Sequence, residues 1–126
     1  MVRIFVVDDN PAVRRYLRGV LEQQNGWFVC GEACNGQEAV ERFSEVGSDL
    51  VLLDFQLPQM NGLDVARHII QRSPGTPILM VTLFLSSQLS EEARKIGVRG
   101  LCAKTDISSV VEAVEALLRD ENYFPN

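Results

Sequence analysis

A short apolar run between two carboxylates limits the folds open to this chain more than any other feature. Residues 50–53 are all apolar and lie between Asp49 and Asp54. Such a run predicts a strand buried on both faces, which is typical of the middle of a parallel sheet. Pro58 and the Asn-Gly pair at 61–62 then indicate a turn. Asp54 is therefore expected to end a central strand, at the edge where open α/β sheets bind their ligands.

An aspartate at the end of such a strand has two interpretations. It can simply cap the following loop or helix, which is a common use of this residue. It can also be a buried carboxylate with a chemical role, because charged groups are rarely buried without a partner. The run around Asp54 does not separate the two interpretations, so the ends of the other strands become informative.

Strand patterns and helical patterns alternate along the whole chain. The predicted strands are residues 3–7, 27–34 with an interruption beginning at Gly31, 50–54, 77–82 and 100–104. Each is followed by apolar residues at helical spacing, most clearly from Ile107 to Leu118 after the capping residue Asp106. Asn10 before a proline predicts the start of the first helix. This alternation predicts an α/β fold with a parallel sheet between helices.

Composition excludes several classes of protein. With 126 residues, of which 46% are hydrophobic and 23% charged, the chain fits one globular domain rather than a disordered segment. Its apolar runs are too short to span a bilayer, and no secretory signal is evident. A net charge of −5 argues against nucleic-acid binding by this domain itself. Three cysteines without metal-type spacing indicate core thiols of a reduced, cytoplasmic protein.

Four of the predicted strands end in polar groups with a chemical use. These groups are Asp8 with Asp9, then Asp54, Thr82 and Lys104. Parallel strands all finish at the same edge of a sheet, so groups that are far apart in sequence are expected to converge there. Any one of them alone would be weak support for a site, but their joint occurrence at separate strand ends is hard to credit to chance.

The charges of these groups predict a divalent cation. The three carboxylates contribute −3 and Lys104 returns +1, so two positive charges are missing. An all-oxygen set suits Mg²⁺, or Mn²⁺, rather than zinc, and His68 is expected on the surface of the third helix. An aspartate beside such a cation, with a lysine and a hydroxyl, is equipped to accept a phosphoryl group. The alternative is a purely structural cluster of ion pairs.

These motifs resemble the receiver domain of two-component response regulators, over essentially the whole chain. The resemblance implies a flavodoxin-like (βα)5 fold with a five-stranded parallel sheet in the order 2-1-3-4-5. It implies that Asp54 accepts a phosphoryl group from a sensor histidine kinase or a phosphotransfer protein, that Thr82 is the switch hydroxyl and that Lys104 binds the phosphate. The implied Mg²⁺ ligands are Asp8, Asp9, Asp54 and the backbone carbonyl of Gln56.

The resemblance extends to the type of output. Residues 97–100 and the Tyr-Phe-Pro run at 123–125 resemble receivers that precede a helix-turn-helix domain of the LuxR or NarL type. Residues 1–126 are therefore expected to be one receiver domain, either a whole protein or part of a longer regulator with a C-terminal DNA-binding domain. Such a domain is a signalling switch, not an enzyme, and catalyses only the gain and loss of its own phosphoryl group.

A change in self-association on phosphorylation is a further expectation. The apolar run Leu83-Phe84-Leu85 follows the switch threonine, where a loop should be polar, although part of the run could equally belong to the core. The first and last helices carry opposite charges and should be neighbours in this fold, so they could pair across a homodimer. The charged residues are Arg14, Arg15 and Arg18 on the first helix and Glu112 and Glu115 on the last.

Two residues depart from the family pattern. Leu101 stands three residues before Lys104, where the family usually has Tyr or Phe, so the usual coupling between the switch threonine and a ring is expected to be weaker. Leu83 stands next to Thr82, where many receivers have a small residue, and is expected to narrow the approach to Asp54 and make the aspartyl phosphate persistent.

Two alternative functions follow from the same residues. Leu101 slightly favours a pseudo-receiver, a docking module that works without phosphorylation, but the intact set of site residues weighs against it. A Mg²⁺-dependent aspartyl-phosphate hydrolase would need a second aspartate two residues after Asp54, and Gln56 stands there instead. The switch is therefore the preferred interpretation.

Overall fold

The computed structural model describes residues 1–125 as alternating strands and helices. The strands are β1 (Val2–Val7), β2 (Trp27–Ala33), β3 (Leu50–Asp54), β4 (Ile78–Thr82) and β5 (Gly100–Ala103). The helices are α1 (Pro11–Glu22), α2 (Gly36–Val46), α3 (Gly62–Arg72), α4 (Ser87–Ile96) and α5 (Ile107–Leu118). All strand pairs are parallel, and the sheet order is β2-β1-β3-β4-β5. The α/β class predicted from the sequence and the implied strand order are both confirmed.

Helices bury both faces of the sheet. The apolar stripes of α1 and α5 pack on one face, where Leu17 and Val114 join a cluster with Leu52 of β3. Helices α2, α3 and α4 cover the other face, where Leu53 of β3 belongs to a second cluster. Successive residues of β3 therefore enter opposite cores, and the whole strand is buried, as its apolar run predicted.

Side-chain caps begin the helices where the sequence predicted. The Asn10 side chain accepts hydrogen bonds from the backbone of Ala12 and Val13 at the start of α1. Asp106 caps α5 by accepting from the Ser109 N–H. The capped helices α1 and α5 follow β1 and β5 after only three residues each. No helix within residues 1–125 combines the length and the apolar character needed to cross a membrane.

Strand β2 differs from the sequence prediction. An interruption was expected to begin at Gly31, but the strand runs continuously from Trp27 to Ala33. The irregularity is instead a register shift in its pairing with β1, between Ile4 and Phe5. A Cβ at Gly31 would lie 2.7 Å from Cγ1 of Val46 on α2. The glycine thus allows α2 to pack closely on the bulged strand, and it does not end the strand.

The cysteines follow the prediction only in part. Cys102 is buried, Cys30 is half-buried and Cys34 is exposed, and all three are free thiols. Burial, and then the charge of Asp106, raise the pKa of Cys102 to about 12, so this thiol stays protonated. The prediction of a core position is wrong for Cys34, because the residue lies just beyond the end of β2 and outside the sheet.

Candidate functional site

The carboxyl edge of the sheet brings together the polar groups predicted from the sequence. Asp8 follows β1, Asp54 ends β3, Thr82 ends β4 and Lys104 follows β5. Because β3 lies between β1 and β4, the Asp54 carboxylate has Asp8 on one side and Thr82 on the other. Asp8 and Asp54 are each 1% exposed and Thr82 is fully buried. Three polar side chains are thus removed from water at one edge.

Lys104 is the cation that holds the two buried carboxylates together. Its Nζ donates a hydrogen bond to Oδ2 of Asp54 at 2.8 Å and lies 2.7 Å from Oδ2 of Asp8. Its backbone N–H donates to the Thr82 carbonyl at 2.8 Å, which fixes the residue beside the end of β4. One ammonium group therefore serves two buried carboxylates, and the pair remains short of positive charge.

The surroundings of Asp54 oppose its ionisation more than they favour it. Burial raises the pKa of Asp54 above its ordinary value, the hydrogen bond from Lys104 lowers it, and the nearby charge of Asp8 raises it again. The backbone N–H of Gln56, which donates to Oδ1 of Asp54 at 3.1 Å, has a smaller lowering effect. Burial opposes the charge of Lys104 as well, but its hydrogen bonds to Asp54 and Asp8 outweigh burial and raise the pKa of Lys104.

Asp9 completes a cluster of oxygens that fits a metal ion. Asp9 is exposed, and one carboxylate oxygen from each of Asp8, Asp9 and Asp54 lies within 4.8 Å of the others. Hard divalent cations such as Mg²⁺ prefer oxygen ligands of this kind. His68 is exposed on α3 and stays apart from this cluster, as predicted. The donor set and the missing positive charge both fit the divalent cation expected from the sequence.

The side chain of Gln56 makes contacts that the sequence did not reveal. Its Nε2 donates to Oγ1 of Thr82 at 2.9 Å, and its Oε1 accepts from the Leu83 N–H at 3.3 Å. The resemblance assigned a role only to the backbone carbonyl of this residue. The available signal was a polar side chain two positions after Asp54, and its partners could not be named without the position of the β4 end.

The apolar run Leu83-Phe84-Leu85 lies on the surface beside the site. Its side chains are 50%, 79% and 42% exposed, so they do not belong to the core. Leu101 on β5, at the position where the family usually has an aromatic ring, is fully buried. The loop after β4 therefore presents apolar side chains to solvent, while the substituted position is packed inside.

The charges of α1 are used within the chain. Arg14 and Arg18 both pair with Glu32 of β2, at 3.0 Å and 2.6 Å. Arg15 is exposed, as are Glu112 and Glu115 of α5. Helices α1 and α5 do lie on the same face of the sheet. The suggested pairing of α1 with α5 of a second copy thus has fewer free arginines than the sequence indicated.

The chain matches the model of a known protein family. A family model described as the response regulator receiver domain matches residues 4–117. The chain belongs to this family. Receiver domains are the signalling modules of two-component systems, so the predicted resemblance is confirmed.

Relatives of this receiver include both single-domain and longer proteins. It is 34% identical over 113 residues to the chemotaxis protein CheY of Thermotoga maritima, covering 89% of this chain and 93% of CheY. It is 36% identical over 116 residues to the transcriptional regulatory protein LnrK of Bacillus subtilis, covering 90% of this chain but only 52% of LnrK. The receiver therefore matches nearly all of one relative and about half of the other.

Solved structures agree with the LuxR and NarL resemblance. A LuxR-family two-component response regulator from Aurantimonas sp. SI85-9A1 superposes with a TM-score of 0.94 at 33% identity, covering 98% of this chain and 89% of that chain. The signal receiver domain of the putative response regulator NarL from Mycobacterium tuberculosis superposes with a TM-score of 0.80 at 26% identity, covering 90% and 96%.

Proposed function

We propose that this receiver is a phosphorylation-controlled switch that accepts a phosphoryl group on Asp54 from a phosphohistidine of a sensor histidine kinase or a phosphotransfer protein. The observation that carries the proposal is the crowding of the Asp8, Asp9 and Asp54 carboxylates, two of which share the ammonium of Lys104. Lys104 lies 2.8 Å from Asp54, and the three carboxylate oxygens lie within 4.8 Å of one another. A site built only for stability would not leave this negative charge unbalanced.

Asp54 acts as the nucleophile in this proposal. One of its carboxylate oxygens forms a bond to phosphorus while the P–N bond of the phosphohistidine breaks, and the electron pair of that bond stays on the imidazole nitrogen. Lys104, already in contact with Asp54, offsets charge on the phosphoryl oxygens. Thr82, buried at the adjacent strand end, supplies a hydroxyl that can donate a hydrogen bond to one of them.

The acidic cluster holds the cofactor in this scheme. Asp8, Asp9, Asp54 and the backbone carbonyl of Gln56 are the proposed ligands of Mg²⁺, with Mn²⁺ as a substitute. Bound there, the cation would offset the negative charge that the carboxylates and the phosphoryl oxygens share. The side chain of Lys104 then has the separate role of reaching the phosphoryl oxygens from the β5 side.

The output is a change in what the surface binds. A phosphoryl group at Asp54 attracts Thr82 at the end of β4 and Lys104 just after β5. Contacts that differ between the two states in this way shift a conformational equilibrium. The exposed run Leu83-Phe84-Leu85 follows Thr82 directly. Because the receiver spans 52% of the transcriptional regulatory protein LnrK, we propose that it is the input part of a transcriptional regulator, whose DNA would be bound by another domain. Its proposed location is the cytoplasm.

Labelling with radioactive acetyl phosphate in the presence of Mg²⁺ tests the proposal. We expect wild-type protein to be labelled, Asp54→Ala to lose all labelling, and Asp9→Ala to need at least tenfold more Mg²⁺, because a charged ligand is lost. Asp49→Ala is the matched control, since this exposed carboxylate lies at the opposite end of β3.

Two outcomes would contradict the proposal. Labelling of Asp54→Ala at the wild-type level would show that another residue is the acceptor. A folded wild-type protein that stays unlabelled with acetyl phosphate, phosphoramidate and a phosphorylated kinase would instead favour the pseudo-receiver.

A further inference from the structure

The hydroxyl of Thr82 is fully engaged by Gln56 and by the backbone of the loop after β4. Oγ1 accepts hydrogen bonds from Nε2 of Gln56 at 2.9 Å and from the Phe84 N–H at 3.3 Å. It donates to the Phe84 carbonyl at 3.4 Å. A hydroxyl has one proton and two lone pairs, so these three contacts use all of them. Thr82 is therefore not free to donate toward Asp54 in this arrangement.

Gln56 reaches this loop with both atoms of its amide. While Nε2 donates to Thr82, Oε1 accepts from the Leu83 N–H at 3.3 Å. The backbone of the same residue is anchored, because its N–H donates to Oδ1 of Asp54 at 3.1 Å. A single residue thus connects the proposed phosphoryl acceptor, the switch hydroxyl and the backbone of the exposed apolar run.

We infer that the Gln56 side chain is a positioning residue that holds Thr82 and the loop after β4 in the unphosphorylated arrangement and releases them when a phosphoryl group is present. The inference rests on the proposed function of Asp54 as acceptor. To donate to a phosphoryl oxygen, the Thr82 hydroxyl has to redirect its proton away from the Phe84 carbonyl and move toward Asp54. This movement would lengthen the hydrogen bond that the hydroxyl accepts from Gln56, so we assign that contact to the unphosphorylated state.

Contacts made in one state only are the ones that move an equilibrium. A hydrogen bond of ordinary net strength corresponds to about a fivefold change in an equilibrium constant. Gln56 therefore sets how much free energy of phosphoryl binding is needed to shift the loop after β4 from the unphosphorylated to the phosphorylated arrangement. Its removal makes conversion easier, which is the reverse of what the loss of a merely stabilising contact would do.

The first measurement uses the protein without added ions. Gln56→Met keeps the length of the side chain and removes both amide contacts. We expect hydrogen exchange of the Leu83 amide, followed by NMR, to become about fivefold faster, because its acceptor is gone. The Phe84 amide, whose acceptor is the Thr82 hydroxyl, should change less. Gln71→Met, on the exposed surface of α3, is the control and should leave both amides unchanged.

The second measurement titrates beryllofluoride, a phosphate mimic, in the presence of Mg²⁺. Gln56→Met should reach half-saturation at about a fivefold lower concentration than wild type and Gln71→Met. An equal or higher concentration for Gln56→Met would overturn the inference, because Gln56 would then contact Thr82 equally in both states. Failure of the wild-type protein to bind the mimic at all would overturn the proposed function, and the inference with it.

Discussion

Two charged clusters on the same sheet differ in the number of cations that each carboxylate contacts. On β2, Glu32 accepts hydrogen bonds from Arg14 at 3.0 Å and Arg18 at 2.6 Å, so two cations surround one carboxylate. At the ends of β1 and β3, Lys104 alone lies between the carboxylates of Asp8 and Asp54. Glu32 therefore has an arginine at each carboxylate oxygen, although Arg18 also lies 3.9 Å from Glu22. The two carboxylates of the second cluster share one ammonium.

The pKa shifts of the two carboxyl groups follow this difference. Burial acts to raise the pKa of Glu32, but the hydrogen bonds and charges of Arg18 and Arg14 outweigh burial and lower it. For Asp54 burial prevails over Lys104 and the pKa is raised. The Glu32 carboxylate, which contacts two arginines, serves to connect α1 to β2. A buried carboxylate group with too few cations is suited to bind another cation, which is why only the second cluster supports a function.

The largest expected effect comes from removing the single cation of the second cluster. Lys104→Ala leaves Asp8 and Asp54 buried without a cation, each with one hydrogen bond from the backbone, and we expect the free energy of unfolding at pH 7 to fall by about 3 kcal/mol. Arg18→Ala is the matched change, because Arg14 still pairs with Glu32, and should cost less than about 1 kcal/mol. Urea unfolding measures both, and equal losses would contradict the comparison.

Lys104→Ala should also lose phosphorylation-driven output while it still folds. Lys104→Arg should restore it poorly, since a planar guanidinium does not reproduce a point ammonium in a pocket shaped for lysine. A reporter of partner binding, read with and without beryllofluoride, distinguishes these variants. Full signalling by Lys104→Ala would show that the ammonium has no role in the switch.

A smaller effect distinguishes the two clusters by the sign of their pH dependence. Because the pKa of Asp54 is raised on folding, its charge destabilises the folded state at pH 7, and this cost disappears as the pH falls through the folded pKa. Asp54→Asn should therefore be more stable than wild type at pH 7, with a difference that shrinks in acid. Thermal unfolding of both proteins between pH 7 and pH 3 measures this difference in stability.

Glu32 should behave in the opposite sense. Its pKa is lowered on folding, so its contribution is present above the ordinary pKa of glutamate and is lost as the pH falls through the folded pKa. Glu32→Gln should therefore be less stable than wild type at pH 7, by about 1 kcal/mol or less because the pair is partly exposed. If both neutral variants changed stability in the same direction, the contrast between the clusters would be lost.

Access of water to the second cluster gives a further test. Leu83 follows Thr82 and is half exposed, and we expect it to limit the approach of the hydrolytic water to Asp54. Leu83→Ala should shorten the lifetime of the aspartyl phosphate severalfold, as measured by loss of label. Leu85→Ala removes an equally apolar side chain from the same loop and should leave the lifetime unchanged. An unchanged lifetime for Leu83→Ala would contradict this role.

The smallest expected change concerns self-association and partner docking. Because Arg14 and Arg18 are occupied by Glu32, we expect the response to beryllofluoride to depend on the apolar loop more than on α1. Phe84→Ser should reduce the change seen by sedimentation and by kinase docking, whereas Arg15→Ala, which removes the exposed arginine of α1, should not. Identical behaviour of the wild-type protein with and without the mimic would refute this prediction.

Local features of the sequence predicted most of the fold. The apolar run at 50–53 predicted a buried strand, because a position between two helical layers removes such a run entirely from water. Asn10 and Asp106 cap helices through contacts with residues two or three positions away, so these contacts can be recognised without knowing the rest of the chain. The role of Gly31 was misjudged because the close approach of Val46 on α2, which leaves no room for a Cβ there, is not local in sequence.

The membership of the site was also predictable, because parallel strands end at one edge whatever their order. The sequence therefore indicated that Asp8, Asp54 and Lys104 would converge, although their roles in phosphoryl transfer remain proposals. Which atoms meet was a different question. The missing positive charge was expected from the residue types, but the contact of Lys104 with both buried carboxylates depends on the side-chain conformations at that edge.

Only the tertiary structure revealed the bond from Gln56 to Thr82, the exposure of the Leu83-Phe84-Leu85 run and the pairing of α1 with Glu32. Spacing along the chain determines which residues share a face of one element. The order β2-β1-β3-β4-β5 determines which elements are neighbours, and it makes side chains 26 residues apart close enough to form a hydrogen bond. That order results from the packing of five helices against one five-stranded sheet, so no single segment of the sequence determines it.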